Sequence, residues 1–308
     1  MSTPLLKERR VLAAKTEVTW GTPIALTSGT DGVINAYDVM VDGDIQPNKR
    51  VAAGAFGRLA SNVGAYSGTA KFKVEAVGSG TPGTPPAWAT VLLPACGMVN
   101  TAGTFTPVSA ASAQSAITLA NLSDGSRKML AGSMGKWSYN GQDGEISYFE
   151  FEFKGVWQPV TDVAMFTPQF STVIPPRFAG VSLTLGAYSP IFSKLTLDYG
   201  NVVDLRQNAD AGSGYQSAVI VGRETTGSID PEQTLVANYD AFGAWLAGTT
   251  AAMSFTIGSG GTGFTINVPV TQYEDIKEGD RNKKVTSQIK FGAKQNGSTP
   301  DSEISIVF

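Results

Sequence analysis

A mainly β protein assembled from two copies of one module is what this sequence predicts, and three observations carry the prediction. Short segments alternate apolar and polar residues with a period of two, which gives one buried and one wetter face, as in antiparallel sheet. Turn dipeptides fall between these segments. The order of segments then repeats along the chain.

The elements follow in order. "LLKERRVLAAK" (5–15) has the apolar spacing of a short helix that would need a partner to be stable. In 69–76, Ala70, Phe72, Val74 and Ala76 share one strand face, with Lys71, Lys73 and Glu75 on the other. Phe149, Phe151 and Phe153 likewise oppose Tyr148, Glu150 and Glu152. The alternation returns at Leu195–Tyr199, Met253–Ile257, Phe264–Val270, Val285–Phe291 and Ile304–Phe308. Asp31-Gly32, Asp124-Gly125, Asn140-Gly141, Asp143-Gly144 and Asn296-Gly297 read as turns. Two stretches read as helix. In "TPPAWATVLLPACGM" (84–98), Trp88, Val91, Leu92, Ala95 and Cys96 recur at helical spacing after two prolines suited to a first turn. In "NYDAFGAWLAGTT" (238–250), Phe242, Trp245, Leu246 and Thr249 form the stripe, and Asn238 or Asp240 can cap it.

Placing Trp88 on Trp245 sets an offset of 157. The same offset puts Phe72 on Ile229; past the helices Phe105 meets Phe255, and Phe153 meets Phe291 at an offset reduced to 138. Each half then reads strand, strand, helix, hairpin, closing strand. The division expected is an arm over 1–35, a first module over 36–170 and a second over 171–308, with the proline-bearing stretch 168–182 as the crossing.

Composition narrows the chemistry. With no histidine, serine-histidine and cysteine-histidine nucleophiles and histidine-held zinc drop out; a single cysteine removes intrachain disulfides and thiolate cages. Cys96 lies on an apolar stripe and reads as core filling. "GSGGTG" (258–263) lacks the lysine of a phosphate loop and reads as a hairpin tip. The acidic groups at Asp42–Asp44 and Glu274–Asp280 read as solvated loops rather than a calcium site. Glu150 and Glu152 share a strand face at a spacing glycoside cleavage would permit, but they also fit a solvent-facing strand. No catalytic, cofactor or metal site is expected, and the chain is read as a non-enzyme. The formal charge of −3 and the lack of a basic cluster, "RNKK" (281–284) being flanked by acids, argue against gripping DNA. No apolar run has the length of a signal or membrane segment, so cytoplasmic synthesis is expected.

The stretch "LAAKTEVTWGTPIALTSGTDGVINAYDV" (12–39) resembles the start of siphophage tail tube (major tail) proteins, with Lys15, Glu17, Trp20, Gly21 and Thr22 matching a K-x-E-x-x-[YW]-G-T pattern. "SGTAKFKVEAVGSGTPGTPPAWATVLLPACG" resembles the strand and short helix of that family, through Trp88 and Leu92. The resemblance implies β-sandwich or barrel-like modules, each with one flanking helix; Phe242 and Trp245 would mark the second. It implies a virion structural protein whose chains join edge to edge into rings, three duplicated chains giving pseudo-sixfold symmetry. Lys15 to Thr22 would belong to an arm that orders on ring stacking. DNA would pass through an acidic or neutral lumen without specific binding. The implied partners are further copies of the chain, the tail terminator, the tape measure and the distal tail proteins, with no membrane and no cofactor. The competing expectations are a non-catalytic β-sandwich adhesin or carbohydrate binder, a carboxylate glycosidase, and a terminator or distal-tail ring.

Overall fold

The computed structural model describes residues 4–51 and 56–308. Strands occupy Arg10–Thr16 (β1), Ala36–Arg50 (β2), Leu59–Glu75 (β3), Met98–Thr101 (β4), Thr104–Pro107 (β5), Ile117–Ser123 (β6), Ser126–Gln142 (β7), Tyr148–Trp157 (β8) and Thr161–Asp162 (β9). The second half holds Ser182–Leu185 (β10), Lys194–Asp198 (β11), Asn201–Gln207 (β12), Tyr215–Arg223 (β13), Thr226–Ile229 (β14), Thr250–Ile257 (β15), Phe264–Arg281 (β16), Lys284–Ala293 (β17) and Ser305–Val307 (β18). Helices span Ala87–Ala95 (α1) and Ala241–Ala247 (α2).

The protein is mainly β, and its sheet is written twice. The order β2-β3-β8-β7 is followed directly by β11-β14-β17-β16. β1 pairs β6 and β6 pairs β7, as β10 pairs β15 and β15 pairs β16. Register confirms the repeat. Phe72 faces Phe151 as Ile229 faces Ile289, and Ala70 faces Phe153 as Gly227 faces Phe291. The offsets of 157 and 138 thus both hold in the strands. In each half the long middle strand, β7 or β16, bends to serve two layers. One part pairs β6 or β15 and the other β8 or β17, which folds the sheet into a sandwich.

Several elements differ from the sequence expectation, each for a physical reason. Residues 10–16 form β1, not a helix: Val11 to Ala14 are buried in succession and the backbone pairs with β6, so a free strand edge outweighs weak helical spacing. The same strand builds part of the expected arm into the first module. Asn140-Gly141 is no turn; it lies inside β7, where Gly141 faces Leu195. Phe105 is not the counterpart of Phe255. It belongs to the β4–β5 hairpin, whereas β15 takes the place of β6, and the extra hairpin accounts for the shift in offset. Nor do the tryptophans match in place: Trp88 stands in the first turn of α1 and Trp245 in the last turn of α2.

One core runs through both halves. Phe149, Phe151, Phe153, Trp137 and Tyr139 share it with Tyr199, Phe255, Phe264 and Phe291. Trp137 and Tyr199 stack across the junction with centroids 5.0 Å apart. Each half contributes a sandwich face that the other helps to cover.

Candidate functional site

Most of the conspicuous N-terminal residues converge on one turn. The Glu17 carboxylate is buried and accepts from the Gly21 N–H (2.8 Å), the Thr118 hydroxyl (2.8 Å) and the Gly132 N–H (2.7 Å). Gly132 lies where β7 departs from regular pairing with β8. Burial raises the Glu17 pKa above the usual carboxylate value, opposed by the three donors. Gly21 has φ +80° and lies so close to the Gln216 carbonyl that any Cβ would overlap it. Trp20 packs on Ala116, Met134, Ala218 and Ile220, so it touches the β12–β13 hairpin of the second half. Lys15 reaches Asp31 at 3.3 Å, and Thr22 N–H closes the turn on Thr19 O at 3.0 Å. The structure brings Glu17, Trp20, Gly21 and Thr22 into a joint within the chain and leaves Lys15 apart from it, on Asp31 and the Ala25 carbonyl; contact between rings lies beyond a single chain.

That joint is one part of a clasp. β12 and β13 continue β11 and β14, then leave the main sheet to lie across the first half as a two-stranded ribbon. Asn201 Nδ2 donates to Cys96 O (2.7 Å) and Gly135 O (2.9 Å), and Tyr199 OH to Gly97 O (3.2 Å). Beneath the clasp, β7 and β11 pair in register from Ser138↔Asp198 to Gln142↔Lys194, which joins the two four-stranded sheets edge to edge. Nothing in the sequence marked this ribbon as a clasp. The signal it carried was a pair of short strands, at Asn201–Gln207 and Tyr215–Arg223, which answers to the outer part of the β2–β3 hairpin.

The helices are placed unequally. Trp88 and Leu92 of α1 are buried, with Trp88 against Phe149 and Phe308. Phe242 and Trp245 of α2 remain 43 % and 38 % exposed, and Leu246 91 %. Cys96 is fully buried, and burial pushes its thiol pKa well up.

Glu150 and Glu152 project from the exposed face of the main sheet into a ladder of opposite charges. Lys71 and Lys136 flank Glu152 on the neighbouring strands, at 3.2 and 3.6 Å, and Lys73 lies 3.5 Å from Glu150. Such cross-strand pairs stabilise a solvated sheet face. Among the described residues no cluster of three or more metal-ligating side chains occurs, and no helix is long and apolar enough to cross a membrane.

The duplicated β-sandwich carries one short helix in each half, and among the described residues the outer edges of β2 and of β16 beyond Gln272 are unpaired. A family model described as phage tail tube protein matches residues 8–301. The chain therefore belongs to the phage tail tube protein family and is a structural component of the virion tail. No curated protein matches it.

Proposed function

We propose that three copies of this chain close into a ring of six modules, and that stacked rings form the hollow conduit through which DNA leaves the virion. The observation that carries this reading is the seam between β7 and β11: two like sheets already join edge to edge within one chain. The outer edges of the same eight strands, β2 at one end and β16 beyond Gln272 at the other, pair with no strand among the described residues. A head-to-tail contact of this kind closes when its rotation divides a full turn.

The exposed face of the joined sheet is taken as the lumen wall. Its lysines at 71, 73 and 136 are each within 4 Å of a carboxylate. Lys290, exposed on the same face, has no such partner among the described residues, so pairing at the other three positions reduces the free cations offered to phosphate without removing them, which supports passage without retention. Further copies are the main partners in this reading. The terminator, tape measure and distal tail proteins meet the ends or the bore, and synthesis takes place in the host cytoplasm. No catalytic role is assigned.

Negative-stain microscopy of the concentrated protein tests the proposal. Hollow rings or filaments support it; solid aggregates or persistent monomers at high concentration would count against it.

A further inference from the structure

We infer that the β2 edge of one chain receives the β16 edge of a second copy in a register already written inside the chain, with Asp42 opposite Lys277 and Val41 opposite Glu278. This rests on the ring reading above and specifies its interface. The derivation uses only the repeat. β16 stands to β17 as β7 stands to β8: Tyr273↔Phe291 and Ile276↔Ile289 match Gly135↔Phe153 and Trp137↔Phe151. β2 stands to β3 as β11 stands to β14, with Val41↔Ala70 matching Leu197↔Gly227. Carrying the seam pairs Ser138↔Asp198 and Tyr139↔Leu197 across yields Lys277 opposite Asp42 and Glu278 opposite Val41 of the next chain.

Two further features agree. Val39 and Val41, which take the places of seam residues on β11, turn their carbonyls towards side-chain donors: Arg10 at 3.4 Å and Lys128 at 3.3 Å. Those acceptors are capped by cations that a strand can displace. The pair Lys277 and Asp42 is also opposite in charge, which favours this register over one that places Asp275 against Asp42; a register with Gly279 against Asp42 would set Lys277 against Asp44, so the choice between those two rests on the repeat and not on charge.

The arm follows the same logic. The β2–β3 hairpin repeats β12–β13: Pro47 faces Val63 where Val203 faces Ile220, with a register irregularity at the same place. Ile220 is buried against the first module beside Gly97, at the end of α1. Val63 is 61 % exposed, and the corresponding end of α2, at Gly248, leaves Trp245 and Leu246 uncovered. The neighbour's hairpin therefore seats Val63 by Gly248 and covers the open face of α2, as the ribbon covers the end of α1.

Seam residues Asp198 and Ser138 flank the hydrogen-bonded pair Tyr199 and Trp137. The pair they form is of the close kind, with Cα atoms about 4.5 Å apart, which admits a disulfide. Chains carrying Asp42→Cys are mixed with chains carrying Lys277→Cys, assembled and oxidised, and run on a non-reducing gel. A cross-linked dimer is expected from the mixture and not from either variant alone. Asp42→Lys should abolish assembly, and adding Lys277→Asp should restore it. Val63→Asp should block assembly while the monomer's melting temperature stays within a few degrees of wild type. If rings form but Lys277→Cys cross-links to Met40→Cys or Asp44→Cys instead, the register is wrong and the ring reading stands. If no assembly forms from the wild-type chain, the ring reading itself fails.

Discussion

Replacing Glu17 by alanine removes the acceptor around which the N-terminal turn is built. Its carboxylate takes three hydrogen bonds, two of them from the backbone N–H groups of Gly21 and Gly132. Alanine leaves those two groups buried without partners, while the Thr118 hydroxyl can rotate. At about 1–3 kcal/mol for each orphaned donor, the loss is about 2–6 kcal/mol. With about 2–4 °C per kcal/mol in a domain of this order, a central loss of about 4 kcal/mol lowers Tm by about 8–16 °C. Urea denaturation followed by tryptophan fluorescence measures it, Trp20 being next to the perturbation. Glu17→Gln keeps one acceptor and should lose less. Its raised pKa also fixes a pH signature. Because burial lifts the folded-state value above the ordinary 4.5, the stability linked to protonated Glu17 is fully present below 4.5 and is lost as pH rises through the folded value. The advantage of wild type over Glu17→Gln should therefore shrink as the solution goes from acidic to neutral. A loss below about 1 kcal/mol for the alanine variant would refute the claim that this carboxylate organises the turn.

Other outcomes follow from the same structure. Gly141→Val should destabilise by about 1–3 kcal/mol, since any Cβ there overlaps the Phe178 ring beside the seam; an unchanged melting curve would contradict this. Cys96 should resist a thiol reagent in the native protein and take up one equivalent on unfolding, because it is wholly buried with a raised pKa; rapid native labelling would contradict its role as core filling. Glu152→Gln should leave Lys71 and Lys136 without their shared carboxylate and increase salt-sensitive retention of DNA by assembled protein. Equal retention by wild type and variant would argue against that face lining the bore.

Much of the fold was legible because strands declare themselves locally. Phe72, Phe151 and Ile289 each sit in a period-two run, Ile229 is reached through the offset, and the offsets that align them are the offsets of the actual registers. Less legible was whatever depends on distant partners. Val11 to Ala14 form a strand because β6 offers an edge, which no window of eleven residues can show. Trp88 and Trp245 look alike in sequence, yet one is buried against Phe149 and Phe308 and the other stays 38 % exposed among the described residues. The importance of Glu17 and Trp20 was visible as a motif, but their task was not. A buried carboxylate holding a bulge, and an indole under a ribbon some 200 residues away, are properties of the folded chain.

Counting the chains in one assembled ring tests the central claim most directly. Native mass spectrometry of isolated rings, or a symmetry-free reconstruction of the tube, should give three chains and six similar modules around the bore. Six chains per ring, or a ring in which the β2 and β16 edges of neighbouring chains do not meet, would contradict the account.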